Sequence, residues 1–317
     1  MEIRDLYDKD RNLTGETILK GEQIPENRYI IVMLIFIQNS EGKFLIQKRS
    51  KQKNGLLAAT GGHAKSGETS IQAIQTEVKE EIGLDLPEDK IELYFSGRQD
   101  EERVFFDDYY IKLDIDDISN LKLQEEEVES VCWMTKDEII EAKKNGTFFM
   151  NHFEEFETLI DWLEDRENGI SIKQENSNKE QYMELLLEAD PCKELINQYL
   201  NLGELFVLNY NDDVACVAVV VRIDGEIVEL KNIATKEEYR GKGFGKRMIN
   251  YLAYKYKVNY KKMIVGTTEN NIPFYVKLGF DNFEKTIKNF FIDNYKEEIW
   301  DGKLQCIDMY YYSKKLK

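Results

Sequence analysis

The hydrophobic pattern of the amino-terminal half predicts a buried sheet with helices after it. The run 29–37 is apolar and β-branched, and a second apolar run at 43–48 follows the turn sequence Asn39-Ser40-Glu41-Gly42. Two such runs joined by a short polar turn are typical of a buried β-hairpin. Later runs predict strands at 94–97, 104–113 and 128–133 and helices at 136–145 and 154–164.

One further helix is predicted between Thr69 and Gly83. Thr69 followed by Gln72 fits the capping-box pattern, and a glycine such as Gly83 commonly ends a helix. Between them the apolar residues recur at helical spacing and predict one buried stripe. That stripe consists of Ile71, Ile74, Val78 and Ile82.

Three carboxylates are predicted to lie together beside this stripe. At 100° per residue, Glu77, Glu80 and Glu81 fall on the adjacent helix face. Carboxylates packed so closely repel one another unless a cation sits among them. Oxygen ligands of this kind suit Mg²⁺ or Mn²⁺, which can bridge diphosphate oxygens and activate water. A solvated acidic face is the alternative for such a cluster taken alone.

A second αβ pattern follows the polar segment 165–179, which is the predicted domain boundary. It begins with a predicted helix at 181–189 and continues with alternating strands and helices to an end rich in β-formers. Strands are predicted at 205–208, 215–223, 227–234, 263–266 and 310–312, and helices at 243–256 and 273–277.

Composition narrows the classes of function. The chain has 317 residues, which favours two domains, and a net charge of −17. That charge argues against a partner that is a nucleic-acid polymer or an anionic membrane. The four cysteines are widely separated, and the apolar run 29–37 is too short to span a bilayer as a helix. With no signal peptide in the sequence, we expect a cytoplasmic protein.

Residues 62–84, GHAKSGETSIQAIQTEVKEEIGL, resemble the Nudix box, G-x5-E-x7-R-E-U-x-E-E-x-G-U with U a bulky apolar residue. Every fixed position matches except Thr76, where the family has Arg. The resemblance implies an αβα sandwich that hydrolyses a diphosphate linkage with Mg²⁺ or Mn²⁺. It also implies metal ligands at Glu77, Glu80 and Glu81, of which Glu80 and Glu81 are candidate catalytic residues.

Residues around the box complete the set that this resemblance implies. Glu68 is expected to support the loop, and the carbonyl of Gly61 is expected to add a metal ligand. A further carboxylate often comes from downstream, and within 125–127 we choose Glu127. An exposed acidic turn is the alternative for Glu127.

Two departures from the family pattern lead to alternative hypotheses about the function of the first half. Thr76 cannot form the bidentate ion pair by which the family's Arg holds a box glutamate. A degenerate Nudix domain that senses a nucleotide and regulates the second half is therefore the rival hypothesis. The opening segment 5–22 is similar to the branch near type I isopentenyl-diphosphate isomerases, but Gly61 replaces their catalytic Cys. We therefore disfavour an isomerase and interpret His63 as a loop residue rather than a metal ligand.

The second half resembles the GNAT acetyltransferases at 239–246, YRGKGFGK, which matches [QR]-x-x-G-x-[GA] through Arg240, Gly243 and Gly245. Glycines let backbone N–H groups approach a pyrophosphate, and the following helix presents its positive end. The strand 229–234 looks like the family's pantetheine-binding strand. The resemblance therefore implies an acetyl-CoA site formed by Ile233, Ala234, Arg240, Gly241, Lys242, Gly243, Phe244, Gly245, Lys246 and Asn271.

The segment 274–280, FYVKLGF, resembles the family's F-Y-x-K-x-G-F segment. There the matching tyrosine often protonates the leaving thiolate, so Tyr275 is the candidate general acid. A core tyrosine is the alternative. Glu229 is one option for the base, acting through a water molecule. Asn270 is an alternative to Asn271 for contact with the cofactor.

These inferences predict a bifunctional enzyme with an α+β and α/β fold. A Nudix αβα sandwich at 1–167 precedes a GNAT mixed β-sheet flanked by helices at 168–317. The expected partners are a small-molecule diphosphate, with a nucleoside diphosphate derivative as the expected class, and a small-molecule or peptide amine acceptor.

Overall fold

The chain forms two units in the computed structural model, which describes residues 2–316 with the side chain of Phe153 excepted. The first unit ends at Glu164 and the second begins at Asp165. The predicted limit after residue 167 coincides with the last residue of the helix that contains this division. No helix among residues 2–316 is long and apolar enough to cross a membrane.

The first unit is a mixed sheet with helices after its strands. Its helices are α1 (Ser70–Ile82), α2 (Lys136–Lys144) and α3 (Met150–Glu167), the last of which continues past Glu164. Its strands are β1 (Ile3–Tyr7), β2 (Leu13–Leu19), β3 (Ile30–Gln38), β4 (Phe44–Arg49), β5 (Leu57–Ala58), β6 (Thr60–His63), β7 (Glu92–Gln99), β8 (Val104–Lys112) and β9 (Val128–Met134).

Strand β3 organises this first unit. The sheet order is β5-β4-β3-β8-β7, with β6 paired to β3 and β9 paired to β4, and β1 and β2 form a separate hairpin. The β3–β8 pair is parallel, and almost every residue of β3 is buried, as expected for a central strand. Because β6 pairs with β3 and α1 packs on both, the box is held against the centre of the sheet.

Helix α1 has the ends that its sequence predicts. Thr69 accepts a hydrogen bond from the N–H of Gln72, and the Gln72 side chain accepts one from the N–H of Thr69. Gly83 ends the helix in the left-handed conformation at φ 72°. Ile74, Val78 and Ile82 are fully buried and Ile71 is partly buried, so the predicted stripe is confirmed.

The second unit is built on a seven-stranded sheet. Its helices are α4 (Met183–Leu187), α5 (Lys193–Leu200), α6 (Phe244–Lys257), α7 (Ile272–Lys277) and α8 (Phe290–Asn294). Its strands are β10 (Ile170–Glu175), β11 (Glu204–Tyr210), β12 (Asp213–Arg222), β13 (Ile227–Thr235), β14 (Lys262–Thr267), β15 (Asn282–Ile287), β16 (Trp300–Asp301), β17 (Leu304–Gln305) and β18 (Met309–Lys315).

This sheet has one parallel pair among antiparallel ones. Its order is β10-β11-β12-β13-β14-β18-β15, and β13 and β14 run parallel. Helix α6 supplies Met248, Ile249 and Leu252 to the core on one face. On the other face α4 and α5 supply Leu186, Ile196 and their neighbours to a separate core. The fold is therefore the predicted mixed sheet flanked by helices.

Some elements were not predicted from the sequence. The polar segment 165–179, interpreted as a boundary, contains the end of α3 and the edge strand β10. In β10 only Ile170 and Ile172 pack on the core, because an edge strand alternates with polar residues. Hairpin β1–β2 and helix α5 were also missed.

The capping box of α1 generates a first prediction. Thr69→Ala removes the acceptor for the Gln72 N–H and should lower the free energy of unfolding of the first unit by about 1 kcal/mol. Thr69→Ser keeps the hydroxyl and should retain the stability. Urea unfolding measures both, and equal stability of the Ala variant and the parent would contradict the capping role.

Candidate active sites

Strand β6 places the carboxylate of Glu77 against Gly62, the first glycine of the box. A side chain at Gly62 would overlap the carboxyl group of Glu77, so this glycine makes room for the carboxylate. The Glu77 carboxylate also accepts a hydrogen bond from the backbone N–H of His63. Burial raises the pKa of Glu77 to about 7, and the charge of Glu80 raises it further while Lys65 opposes the rise.

Glu81 lies deeper, at 7% exposure, one helical turn after Glu77. Its carboxylate accepts a hydrogen bond from the Gln47 amide at 3.2 Å, and Gln47 in turn accepts one from the Thr60 hydroxyl at 3.2 Å. Burial raises the pKa of Glu81 to about 7, and the charges of Glu77 and Glu127 contribute to the rise. The charge of Glu77 therefore disfavours ionisation of Glu81.

The structure brings Glu127 into this electrostatic cluster. The turn that carries it is fixed to the end of α1 by a hydrogen bond from the Gln124 N–H to the Glu81 carbonyl, at 2.9 Å. The Ser50 N–H donates to the carbonyl of Glu127 at 2.8 Å. The Glu127 carboxylate itself pairs with Lys53 at 3.0 Å. The choice of Glu127 as a ligand stays a prediction, since proximity to Glu81 does not test ligation.

Glu80 differs from the other two box acids. Its carboxylate is half exposed and binds the Lys65 ammonium through both oxygens, at 2.6 and 2.8 Å. The expectation that all three acids bind one cation stays a prediction, since Glu80 also lies close enough to Glu77 to raise its pKa. Lys65, on the loop before α1, is the cationic partner of Glu80, and its charge also lowers the pKa of Glu77.

The residues fit a hard divalent cation in type but not as a preassembled set. The available donors are oxygens: the carboxylates of Glu77 and Glu81, that of Glu127, and the carbonyl of Gly61. Among the described residues, no three His, Cys, Asp or Glu side chains are already arranged to hold a metal. Burial raises the pKa values of Glu77 and Glu81, and a cation bound beside them would favour their ionised forms.

Thr76 retains part of the role of the missing arginine. Its hydroxyl donates to one oxygen of Glu68 at 2.9 Å. The other oxygen of Glu68 accepts the backbone N–H of Lys65 at 3.0 Å. Two hydrogen bonds from uncharged donors thus hold the loop carboxylate where an ion pair is expected from the family pattern.

Position 61 excludes the side chain that isomerase chemistry would need. A Cβ at Gly61 would lie 2.6 Å from the Met33 carbonyl oxygen and 2.9 Å from the Leu34 Cβ. His63 lies in β6 and pairs with Val32, so its interpretation as a loop residue was wrong. Burial lowers the pKa of His63 to about 4, which keeps the imidazole neutral at physiological pH.

In the second unit, the sheet opens between its two parallel strands. Their pairing ends at Leu230 and Val265, although β13 continues to Thr235 and β14 to Thr267. Lys231 is the extra residue of a β-bulge in β13, because its neighbours on either side pair with consecutive residues of β12. A bulge bends its strand, and here it turns β13 away from β14.

The glycine loop lies open at the start of α6. Gly241 and Gly243 have φ of 77° and 88°, values that favour glycine. A Cβ added at either would meet no described atom within 4 Å. Gly243 is the N-cap of α6 and brings no side-chain cap, so the first N–H groups of the helix are available to an anion.

Some side chains of the predicted cofactor site are exposed, and others are packed in the core. Lys242 and Lys246 are exposed, and Lys242 also lies over the ring of Tyr239. Arg240 donates to the Thr235 carbonyl at 3.1 Å and pairs with Glu188 at 2.5 Å. Gly245 is partly exposed within α6. Phe244, Ile233 and Ala234 direct their side chains into the cores, which leaves only their backbones for a ligand.

Tyr275 lies on α7, close to the glycine loop. Its neighbour Phe274 would be 3.8 Å from a Cβ at Gly245. The Tyr275 ring packs against Phe280 in the core, and the residue is 9% exposed. Burial, followed by the nearby Cys216, raises the pKa of Tyr275 well above its usual value, so its hydroxyl keeps the proton that an acid must donate.

Glu229 lies at the opening, one residue before the last parallel pair. Its buried carboxylate pairs with Lys231 at 3.0 Å and accepts a hydrogen bond from the Tyr311 hydroxyl at 3.3 Å. Tyr311 comes from β18, which pairs with the other edge of β14. The carboxylate is thus held beside the opening by two donors.

The two asparagines after β14 contact the β16–β17 hairpin. The Asn271 amide donates to the Thr268 hydroxyl at 3.1 Å and to the Asp301 carboxylate at 3.0 Å. Asn270 donates to the Asp301 carbonyl at 2.8 Å. These bonds give both amides a structural partner, so a cofactor contact from Asn271 could come only from its amide oxygen.

Sequence reasoning missed several residues of the two sites. Gln47, Lys65, Tyr311 and Asn232 are all brought in by strand pairing or loop packing between distant segments. The spacing of residues along the chain indicates which of them share one helix or strand. It does not indicate which side chains from distant segments come into contact. Of the four, Lys65 and Asn232 lie within segments whose function was predicted, the box at 62–84 and the strand at 229–234.

Comparison with known proteins finds two families, each matching a different part of the chain. The NUDIX domain family matches residues 28–155, and the acetyltransferase (GNAT) domain family matches residues 201–282. An uncharacterised Nudix hydrolase of Listeria monocytogenes is 37% identical over 48% of this chain and 91% of its own length. The uncharacterised N-acetyltransferase YvbK of Bacillus subtilis is 34% identical over 43% of this chain and 88% of its own.

Among solved structures, a GNAT family acetyltransferase from Elizabethkingia anophelis with acetyl-CoA bound is 34% identical. The match covers 47% of this chain and 99% of that chain, with a TM-score of 0.44.

The raised pKa values generate a prediction for the metal-free protein. A carboxyl whose pKa rises from 4.5 to about 7 on folding stabilises the fold below pH 4.5, and this contribution is lost as the pH rises through 7. Relative to the Glu81→Gln variant, the parent in chelator should therefore lose thermal stability between about pH 4.5 and 7. Buried His63 acts in the opposite direction, but it is present in both proteins and cancels in the comparison. Parallel pH profiles of the two proteins would contradict the assignment.

Proposed function

Since the chain belongs to the Nudix hydrolases through its first unit and to the GNAT N-acetyltransferases through its second, we propose that it is a bifunctional enzyme. Its first unit hydrolyses the diphosphate linkage of a nucleoside diphosphate derivative in the presence of Mg²⁺ or Mn²⁺. Its second unit transfers the acetyl group of acetyl-CoA to an amine. The hydrolase proposal rests on the neighbouring carboxylates of the partly buried Glu77 and the buried Glu81. The acetyltransferase proposal rests on the opening between β13 and β14.

In the hydrolase unit, Glu77, Glu81 and Glu127 would hold the metal, together with the carbonyl of Gly61. A divalent cation bound there supplies Lewis acidity toward the diphosphate oxygens and toward water. Gln47 orients Glu81 through their hydrogen bond, and Glu68 keeps the loop in place through Thr76. Glu80 is free to accept a proton from water only when it leaves Lys65, which makes Lys65 part of the same site.

In the acetyltransferase unit, the backbone of 241–245 would bind the pyrophosphate of acetyl-CoA at the start of α6. The pantetheine arm would lie along the backbone of β13 beyond the bulge, where β14 no longer pairs with it. The amine nitrogen attacks the thioester carbon, a C–N bond forms and the C–S bond breaks. Glu229 accepts the amine proton through water, and Tyr275 donates its proton to the departing thiolate.

The alternative function is a nucleotide sensor that regulates the acetyltransferase. The ion pair between Lys65 and Glu80 favours it, because a carboxylate occupied by a lysine is withheld from chemistry. The single hydrogen bond of Thr76 points the same way, since it replaces an ion pair. Hydrolysis and sensing are separated by the first experiment below.

A phosphate-release screen over nucleotide sugars, dinucleotides and oxidised nucleotides tests the hydrolase. With Mg²⁺ or Mn²⁺, the parent should hydrolyse at least one class faster than background, and Glu81→Gln should lower kcat by about 100-fold or more. Glu88→Gln, a change at an exposed glutamate outside the site, serves as the matched control. Absence of hydrolysis, together with nucleotide-dependent thioester cleavage, would favour the sensor.

Tyr275→Phe tests the general acid in the second unit. Loss of the hydroxyl should lower kcat for acetyl transfer by about 100-fold while the KM for acetyl-CoA stays near the parent value. The ring packing against Phe280 is preserved, so the variant should fold. An unchanged kcat would remove Tyr275 from the mechanism without affecting the fold.

A further inference from the structure

A chain of polar side chains crosses the face of the second unit that α4 and α5 cover. Asp190, in the loop between these helices, accepts hydrogen bonds from the hydroxyls of Tyr295 and Tyr199, at 3.0 and 3.3 Å. The Tyr199 hydroxyl accepts one from the Asn232 amide at 3.0 Å. The chain therefore connects Asp190 to strand β13.

The oxygen of Asn232 has no partner within the described part of the chain. Asn232 is 5% exposed, and its Oδ1 atom is buried without a hydrogen bond. The orientation of this amide is fixed, because its nitrogen also donates to the Leu186 carbonyl at 3.1 Å, which can only accept. A buried acceptor left in this way costs free energy unless a ligand supplies a donor.

The position of Asn232 connects this oxygen with the proposed reaction site. Asn232 follows the bulge residue Lys231, so it lies where β13 separates from β14. Glu229, the candidate base, precedes it by three residues on the same strand, roughly 10 Å away at ordinary strand rise. Both side chains bond to groups on the same side of the sheet, Glu229 to Tyr311 and Asn232 to Tyr199.

Asp190 is a partly exposed carboxylate in the loop between α4 and α5. Within residues 2–316 its hydrogen bonds come from neutral groups: two tyrosine hydroxyls and the backbone N–H of Cys192. Burial and the adjacent carboxylate raise the pKa values of Tyr199 and Tyr295, so both hydroxyls stay protonated and donate. Asp190 and Asn232 together thus offer acceptors and negative charge to whatever binds there.

We propose that Asn232 and Asp190 form a subsite for a cationic group of the acceptor, separate from the nitrogen that is acetylated. This inference rests on the proposed acetyltransferase function and narrows its substrate class. The acceptor carries at least two basic nitrogens. One nitrogen is deprotonated and attacks the thioester near Glu229. The other stays charged and donates hydrogen bonds to the Asn232 amide oxygen and the Asp190 carboxylate.

Calorimetric titration of the full chain, saturated with CoA, tests the subsite without requiring turnover. The probes are 1,6-diaminohexane and n-hexylamine, which have the same chain length and differ in the second ammonium. The diamine should bind at least about tenfold more tightly, as expected for one charged hydrogen-bonded contact. Equal affinity of the two amines, or no binding of the diamine, would overturn the proposal.

Two variants test whether the second ammonium of the diamine binds at Asn232 and Asp190. In Asp190→Asn and in Asn232→Leu, the diamine and n-hexylamine should bind with about equal affinity, and the affinity for CoA should be unchanged. Glu194→Gln removes an exposed carboxylate on the neighbouring helix α5 and should keep the preference, which makes it the matched control. A preference that persists in both subsite variants would place the second ammonium elsewhere. Failure of the protein to bind CoA would instead contradict the proposed acetyltransferase function.

Discussion

The cost of burying a polar group without a full set of partners is the constraint on which both candidate sites depend. In the first unit, burial raises the pKa values of Glu77 and Glu81 to about 7. In the second, the amide oxygen of Asn232 is buried without a donor. Each such group marks a place where a ligand can supply the missing partner.

The backbone makes these places accessible in two different ways. At Gly62 the absence of a side chain gives the Glu77 carboxylate room beside β6 and brings it to the N–H of His63. At Lys231 an extra residue turns β13 out of its pairing with β14, which opens the sheet beside Glu229. A missing side chain and an inserted residue therefore have the same consequence, since both create space at the centre of a sheet.

Local sequence patterns predicted much of the framework. The capping box at Thr69, the glycine stop at Gly83 and the stripe through Ile74 and Val78 were all readable, because helix ends and periodicity depend on residues a few positions apart. Strand β10 was not readable, since its half-polar alternation is that of an edge that only the completed sheet can define. The glycine loop before α6 belongs with the readable features, because its positive φ values demand glycine.

The sequence by itself determined the chemical types at both sites: carboxylates on one helix, and glycines between a strand and a helix. The tertiary structure decided which of them act together. It separated Glu80, held by Lys65, from Glu81, held by Gln47, and it joined Asn232 to Asp190 through Tyr199. Identity and spacing along the chain are local properties. The partners of a buried polar group are set by strand register and helix packing between segments far apart in the sequence.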